Sequence, residues 1–231
     1  TGMAAQERNV EVISNNIANM RTTGFKRQRA EFQDLLYQSY RRAGASTSEA
    51  GTQVPVGIEI GSGVRVSATA RIMSQGNVAP TEKENDVAIR GEGYFIVNMP
   101  DGRTAYTRDG TFERSSTGML VTVDGYEVEP GIIIPEDATS VSISRDGIVE
   151  GFFNGGTEPV QLGQFQMARF VNKAGLESMG DNLFLETAAS GEAPIGVPGA
   201  EGMGDLLQGY LESANVNAVT EMADLISAQR A

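Results

Sequence analysis

The sequence predicts a mixed α and β fold, in which N- and C-terminal helices form a coiled-coil pair and the chain between them builds a central antiparallel all-β domain. Three observations favour this fold: helical spacing of apolar residues at both ends, apolar alternation with Asp-Gly turns in the middle, and 28 glycines among 231 residues. The expected segments are an N-terminal helical domain at 1–37, an extended insert with connecting strands at 38–80, a β domain at 81–202 and a C-terminal helical segment at 203–231.

The N-terminal helix is predicted by a heptad pattern that starts at Met3. The two seam positions of this pattern are occupied by Met3, Val10 and Ile17, and by Gln6, Ile13 and Met20. All of these residues except Gln6 are apolar, which is typical of a coiled-coil seam. We expect the helix to end near residues 22–24, with Gly24 in a left-handed conformation.

Residues 25–40 are expected to form a second helical or extended stretch with an apolar face that includes Phe25 and Phe32. The segment that follows, AGASTSEAGTQ at 43–53, contains only small and polar side chains. It cannot bury a core of its own, so its composition predicts a surface loop.

From Val54 onward the pattern changes to the alternation of β-strands, as in Val64, Val66 and Ala68. Asp-Gly pairs separate the apolar runs at 101–102, 109–110, 124–125 and 146–147. Asp-Gly suits the positive backbone angles of two-residue hairpins, so these pairs predict an antiparallel meander or barrel.

Helical spacing returns after a second low-complexity stretch, residues 188–204, which contains five Gly and two Pro. Val216, Val219, Ala223 and Ile226 then repeat at intervals of three and four residues. This spacing predicts an amphipathic helix at the C-terminal end.

The net charge of the chain is strongly negative, because 18 Lys and Arg stand against 30 Asp and Glu, which gives −12. A nucleic acid is therefore not an expected partner. The charge is uneven: residues 1–42 carry seven basic and four acidic residues, and the rest carry 11 and 26. Either the basic start pairs with the acidic body of a neighbouring copy, or both are ordinary solvated surfaces.

Cysteine and histidine are absent from the sequence. Their absence excludes disulfides, thiol nucleophiles, Cys/His zinc sites and imidazole catalysis. No apolar run approaches the ~20 residues that a membrane span needs, so we expect no direct membrane insertion. Thr1 is not an initiator residue and residues 225–231 keep a helical composition, so part of the chain is expected to be missing at each end.

A carboxylate enzyme is the remaining catalytic alternative, and its candidates are Asp109, Asp124, Glu127 and Glu129. Asp109 and Asp124 each precede a Gly in a turn signal, where Asp serves the backbone. The spaced Asp/Asn ligands of a calcium loop and the Lys-Ser/Thr of a phosphate-binding loop do not occur. The sequence thus predicts no catalytic residue, no metal and no cofactor.

Three stretches carry a family resemblance. They are ISNNIANMRTTGFK at 13–26, GEGYFIV at 91–97 with YTRDGTF at 106–112, and GYLESANVN at 209–217 with Glu221-Met222. Together they closely resemble the shared signatures of the flagellar rod and hook proteins. Asn15, Asn16 and Asn19 are poor residues for a solitary helix, so their amides are expected to bond across a packed helix bundle.

The resemblance implies a helical inner tube built from both termini and an outer β domain at 81–202. The residues expected to build the tube are Met3, Val10, Ile13, Asn15, Asn16, Ile17, Asn19, Val216, Val219, Ala223 and Ile226. The implied partners are further copies of the chain, proximal rod proteins, the hook protein, and the surrounding periplasmic and outer-membrane rings. The implied location is the basal body across the periplasm, reached through the flagellar type III channel without a cleaved signal.

Within the family, residues 24–37 and 55–64 most resemble distal rod subunits, and the polar insert lies between them. The resemblance implies that this insert lies against neighbouring protomers and stiffens the rod. Its candidate contact residues are Ala43, Ser46, Thr47, Ser48 and Gln53. A proximal rod or hook subunit is the alternative within the family, and a carboxylate-dependent cell-wall glycosidase is the distant alternative outside it.

Overall fold

The computed structural model describes residues 2–41 and 58–230. The helices are α1 (Gly2–Ala18) and α2 (Ala218–Arg230), and a short 3₁₀ turn covers Lys173–Gly175. The strands are β1 (Gln28–Asp34), β2 (Tyr37–Arg41), β3 (Ile58–Gly61), β4 (Val64–Arg71), β5 (Val78–Pro80), β6 (Val87–Arg90), β7 (Tyr94–Asn98), β8 (Thr104–Thr107), β9 (Phe112–Arg114), β10 (Leu120–Thr122), β11 (Glu127–Val128), β12 (Ala138–Ile143), β13 (Ile148–Phe153), β14 (Val160–Gln164), β15 (Met167–Ala168), β16 (Glu177–Gly180), β17 (Leu183–Leu185), β18 (Ile195–Gly196), β19 (Asp205–Gln208) and β20 (Tyr210–Glu212).

The predicted mixture of terminal helices and a central antiparallel β region is confirmed. Residues 25–40, for which helical and extended structures were both open, form strands β1 and β2. The candidate insert residues Ala43, Ser46, Thr47, Ser48 and Gln53 lie outside the described residues. The coiled-coil arrangement of the two helices stays a prediction.

The chain forms two compact units whose segments alternate along the sequence. Unit 1 contains Thr1–Ile17, Gln28–Arg71 and Ala218–Ala231, and unit 2 contains Ala18–Arg27 and Ile72–Asn217. Each unit combines residues that are far apart in the chain. The division into four consecutive segments stays a prediction.

Unit 1 combines the two helices with short antiparallel ribbons. Strand β1 pairs with β4, with a bulge between Glu31 and Phe32, and β2 pairs with β3. In α1, the buried residues are Ala5, Val12, Ile13 and Asn16. Ala5, Val12 and Asn16 each lie one position before a residue of the predicted heptad seam, so the inward face of the helix is turned by about one residue from that seam. The inward face of α2 contains Glu221 and Ala228.

Unit 2 is built on a nine-stranded antiparallel sheet. Its main path runs β16-β17-β8-β7-β11-β10-β9, and β15 joins it through β7. A three-stranded sheet, β12-β13-β14, and the pairs β19-β6 and β20-β5 complete the unit. The main core contains a cluster of buried aromatic rings, in which Phe95 and Phe112 meet edge to face at 4.9 Å between centroids.

The Asp-Gly pairs are hairpin turns at three of the four predicted places, between β7 and β8, β10 and β11, and β12 and β13. The hairpin predicted at Asp109-Gly110 is wrong, because the strands on either side of it pair with other strands. Gly110 instead lies against β6, where its carbonyl accepts from Val87 N at 3.1 Å. A Cβ at position 110 would lie 1.6 Å from the Val87 carbonyl oxygen, so the close approach of two backbones explains this glycine.

Candidate assembly site

The Asn16 side chain holds the end of α1 in unit 1. Its Oδ1 accepts from Gln28 N and its Nδ2 donates to Gln28 O, both at 2.8 Å. The same Nδ2 donates to Glu221 Oε2 of α2 at 3.1 Å. Because Asn16 is 1% exposed, its amide cannot form hydrogen bonds to water, and these bonds to the protein take their place.

The other two signature asparagines lie in different surroundings. Asn15 is exposed on α1, and Asn19 lies half-buried just after the helix. Thr22 Oγ1 donates to Asn19 Oδ1 at 3.3 Å, which helps to form the turn that leads to Gly24. Gly24 has the left-handed conformation expected from the sequence, with φ of 69°.

A buried carboxylate, Glu212, lies at the centre of a second polar cluster, in unit 2. Its Oε1 accepts hydrogen bonds from Lys26 Nζ and, at 2.9 Å, from Gly76 N. Its Oε2 accepts from Arg108 Nε at 2.8 Å and forms an ion pair with Arg108 Nη2 at 2.7 Å. Arg108 uses its other donors on the carbonyl oxygens of Ile89, Gly91 and Gly93, so this cluster also fixes the β6–β7 connection.

The charges of this cluster do not balance. Two cations, Lys26 and Arg108, share the single carboxylate of Glu212, and the three side chains are 1%, 5% and 0% exposed. Burial lowers the pKa of Lys26 below its usual 10.5, attraction to Glu212 opposes that change, and repulsion from Arg108 reinforces it. Lys26 thus loses its proton more readily than a lysine in water does.

Asn215, in the C-terminal signature, bonds to the segment that contains Arg27 and to the segment that contains Ile72 and Ser74. Its Oδ1 accepts from Arg27 N at 2.7 Å, and its Nδ2 donates to Ile72 O at 2.8 Å and Ser74 O at 3.0 Å. The backbone adds Gly24 N to Glu212 O at 2.8 Å. In each unit, therefore, residues of the N-terminal signature bond directly to residues of the C-terminal signature.

An apolar stripe lies exposed on α2. Val219, Met222, Ala223 and Ile226 follow one another at the spacing of one helix face. Val219 is 78%, Met222 48% and Ile226 51% exposed, whereas Glu221 and Ala228 face inward. A helix face of this kind is typical of a surface that another helix covers.

The residues expected to build a tube fall into three classes of exposure. Ile13 and Asn16 are buried, and Val10, Ile17, Asn19 and Val216 are half-buried. The exposed members are Met3, Asn15, Val219, Ala223 and Ile226. Only the members on α2 form a continuous exposed apolar stripe.

The sequence alone does not reveal the ionic cluster, although Lys26 and Glu212 both lie inside the signature stretches. The available signal was a charged residue in each signature, flanked by apolar neighbours such as Phe25 and Leu211. That signal does not identify partners, because Lys26 and Glu212 are 186 positions apart.

Two of the four carboxylates considered for catalysis, Asp109 and Glu129, make local hydrogen bonds. Asp109 Oδ1 accepts from Thr111 N at 3.0 Å and Thr111 Oγ1 at 2.7 Å, and burial raises its pKa. Glu129 Oε2 accepts from Asn98 Nδ2 at 2.5 Å. Within residues 2–41 and 58–230, no group of three or more acidic side chains is placed to hold a metal ion. Neither of the two described helices is long and apolar enough to cross a membrane.

Three family profiles match the sequence. The profile described as "Flagella basal body rod protein" matches residues 1–26, and "Flagellar basal body rod FlgEFG protein C-terminal" matches residues 207–231. The profile described as "Flagellar hook protein FlgE/F/G D1 domain" matches residues 88–151. The terminal matches cover the segments that supply Asn16, Lys26, Glu212 and Glu221.

Individual relatives match over the whole chain. The flagellar basal-body rod protein FlgG of Caulobacter vibrioides is 54% identical over 231 residues, which are all of this chain and 88% of that protein. FlgG of Bacillus subtilis is 40% identical over 235 aligned residues, with the same coverage of both chains. The flagellar hook protein FlgE of Helicobacter mustelae is 37% identical over 172 residues, which cover 74% of this chain and 37% of the hook protein.

Proposed function

The chain belongs to the FlgG family of flagellar basal-body rod proteins, and we propose that it polymerises into the distal rod, a rigid hollow shaft that transmits torque from the motor to the hook. The observation that carries the proposal is similarity to FlgG proteins along all 231 residues. The hook relative aligns with 37% of its own length, so the rod assignment accounts for more of both chains than a hook assignment does.

The exposed stripe on α2 supports a role in polymerisation. Fully burying a side chain such as Val, Ile or Met contributes about 1.5–3 kcal/mol, and a stripe of three large apolar side chains offers that gain to a neighbouring copy. Helices of 17 and 13 residues are marginal in water and gain stability from packing. We propose that α1 and α2 complete a coiled-coil tube only when copies assemble, through open contacts that generate a filament.

The further partners follow from this placement in the flagellum. We propose contacts with proximal rod proteins at one end, with the hook protein at the other, and with the surrounding periplasmic and outer-membrane rings. We propose a position across the periplasm, reached through the flagellar type III channel without a cleaved signal. The function is structural rather than enzymatic, in keeping with relatives that are rod proteins.

The test is to supply this protein to a bacterium that lacks its own distal rod subunit. We expect complete hook–basal bodies and restored swimming, with an epitope tag that labels the axial segment directly below the hook. A label on the hook itself, or on the segment nearest the motor, would contradict the distal rod and favour the hook or proximal rod alternative.

A further inference from the structure

Glu212 lies where three distant segments of unit 2 meet. The segment 22–27 follows α1, the segment 72–77 precedes β5, and the segment 205–217 contains β19 and β20. The Glu212 carboxylate bonds to Lys26 of the first segment and to Gly76 of the second. Arg108 completes the set from the region of the large sheet.

We infer that Glu212 is a folding latch, which makes the ordering of residues 22–27 conditional on the arrival of segment 205–217. The inference goes beyond the proposed structural function, because it concerns the order in which one chain becomes structured. It rests on the charge balance of the cluster and on the source of the contacts that hold residues 22–27.

The charges of the cluster make the burial of Lys26 depend on Glu212. Without Glu212, Lys26 and Arg108 would be two buried cations without a counter-ion, each in a site that excludes water. Burying an uncompensated charge is strongly unfavourable, so Lys26 would leave the site for solvent. Residues on either side of Lys26 would leave with it.

The backbone contacts of residues 24–27 point to the same dependence. Gly24 N donates to Glu212 O at 2.8 Å, Asn215 N donates to Phe25 O at 3.3 Å, and Arg27 N donates to the Asn215 side chain. Segment 72–77, the other neighbour, is itself bonded to the C-terminal segment through Ser213 N to Asn77 O at 2.7 Å. Segment 205–217 therefore bonds to both of the other segments, which also bond to each other through Ile72 N to Arg27 O and Lys26 Nζ to Ser74 O, both at 2.9 Å.

The consequence concerns a chain that becomes available N-terminus first, as during synthesis. Lys26 precedes Glu212 by 186 positions. The ion pair that orders residues 22–27 can therefore form only after nearly the whole chain has been made. Contacts of such sequence separation form late because the loop must close before they stabilise anything.

The experiment is hydrogen exchange, measured by mass spectrometry, on the full chain and on Glu212→Gln. Glutamine keeps the size of the side chain and removes its charge. We expect amides of residues 22–27 to exchange at least about 10-fold faster, while strands β7 and β8 keep their protection. The matched control is Asp205→Asn, which changes a partly exposed carboxylate paired with Arg90 on the neighbouring strand. It should change exchange at residues 22–27 by less than about twofold.

Unchanged exchange at residues 22–27 in Glu212→Gln would overturn the inference. An equal loss of protection at residues 22–27 and in β7 and β8 would also overturn it, since Glu212 would then be a residue of general stability.

A second measurement uses the unaltered chain and so does not depend on the folding of a variant. During refolding from denaturant, pulses of deuterium label amides that are still open. We expect residues 22–27 to become protected together with or after residues 205–212. Protection of residues 22–27 before residues 205–212 would refute the latch.

Discussion

At the scale of single residues, the Asn16 amide connects α1, β1 and α2 because it donates and accepts in one buried place. Three hydrogen bonds of 2.8–3.1 Å meet there. The planar amide matches the N–H and C=O of Gln28 as a neighbouring strand would, which an aliphatic side chain cannot do. An asparagine, otherwise a poor helix residue, is therefore suited to the last turn of α1.

We predict that Asn16→Ala lowers the free energy of unfolding of unit 1 by about 2–4 kcal/mol, because buried donors and acceptors of Gln28 and Glu221 lose their partner. The control is Asn15→Ala at the exposed neighbouring position, for which we expect about 0.5 kcal/mol or less. Urea unfolding followed by helix circular dichroism measures both. Equal losses in the two variants would contradict the role of the buried amide.

The surplus cation at Glu212 predicts a pH dependence. The pKa of Lys26 is lowered from 10.5 in the folded chain and returns to 10.5 on unfolding. Between these two values the unfolded state holds more protons than the folded state, so stability rises with pH in that interval. Below the folded-state pKa, the full cost of the buried charge is present.

We therefore expect the unfolding free energy of the unaltered chain to rise, relative to Lys26→Met, as the pH increases from neutral toward 10.5. Methionine fills a similar volume without a charge, and leaves Arg108 and Glu212 as a balanced pair. The comparison is Lys83→Met, at an exposed lysine, whose profile should run parallel to that of the unaltered chain. Parallel profiles for Lys26→Met as well would refute the prediction.

At the scale of elements, the two faces of α2 have different roles: one face stabilises the single chain, and the apolar stripe on the other is available for contacts between copies. The inward face of α2 contributes to unit 1, whereas the stripe is largely exposed in the single chain. A change in the stripe should consequently affect contacts between copies while leaving the helix in place.

We predict that Ile226→Asp raises the concentration needed for polymerisation by about 100-fold or more, since a carboxylate would be buried without a partner between copies. The control, Ser227→Asp, adds the same charge at the adjacent exposed position on another side of the helix. Sedimentation of polymers gives the threshold, and circular dichroism verifies that the monomers keep their helices. Similar thresholds for the two variants would show that the stripe is not a contact surface.

The elements that the sequence predicted best are those with a local signal. Met3 to Met20 and Val216 to Ile226 repeat at helical spacing, and three Asp-Gly pairs close hairpins between adjacent strands. Asp109-Gly110 misled the prediction, because the same two residues also form a tight side-chain turn beside a neighbouring strand. Contacts between residues far apart in the chain, such as Lys26 and Glu212, produce no local pattern in a single sequence and so could not be predicted from it.

At the scale of the whole molecule, the stiffening role that the family resemblance implies for the polar insert at 43–53 stays a prediction. The insert contains no large apolar side chain, so its contribution to a rod would come from contacts with neighbouring protomers rather than from a core of its own. The mechanical behaviour of the polymer is the property in which a rod should differ from a hook.

We expect deletion of residues 43–53 to give curved or flexible polymers, and electron micrographs of their bending measure the change. Replacing the same residues by a Gly/Ser sequence of equal length should also soften the rod, because such a chain is flexible. Straight and stiff polymers after the deletion would contradict a stiffening role of the insert.

The alternation of the two units along the chain determines how members of this family can exchange parts. Residues 72–217 form the long continuous part of unit 2, and an exchange with the corresponding part of a hook protein would begin there. Lys26 and Arg27, which bond to Glu212 and Asn215, would remain behind from the other parent. A viable chimaera must therefore preserve these bonds, either through matching residues of the incoming segment or by exchanging residues 18–27 together with it, which takes four crossover points.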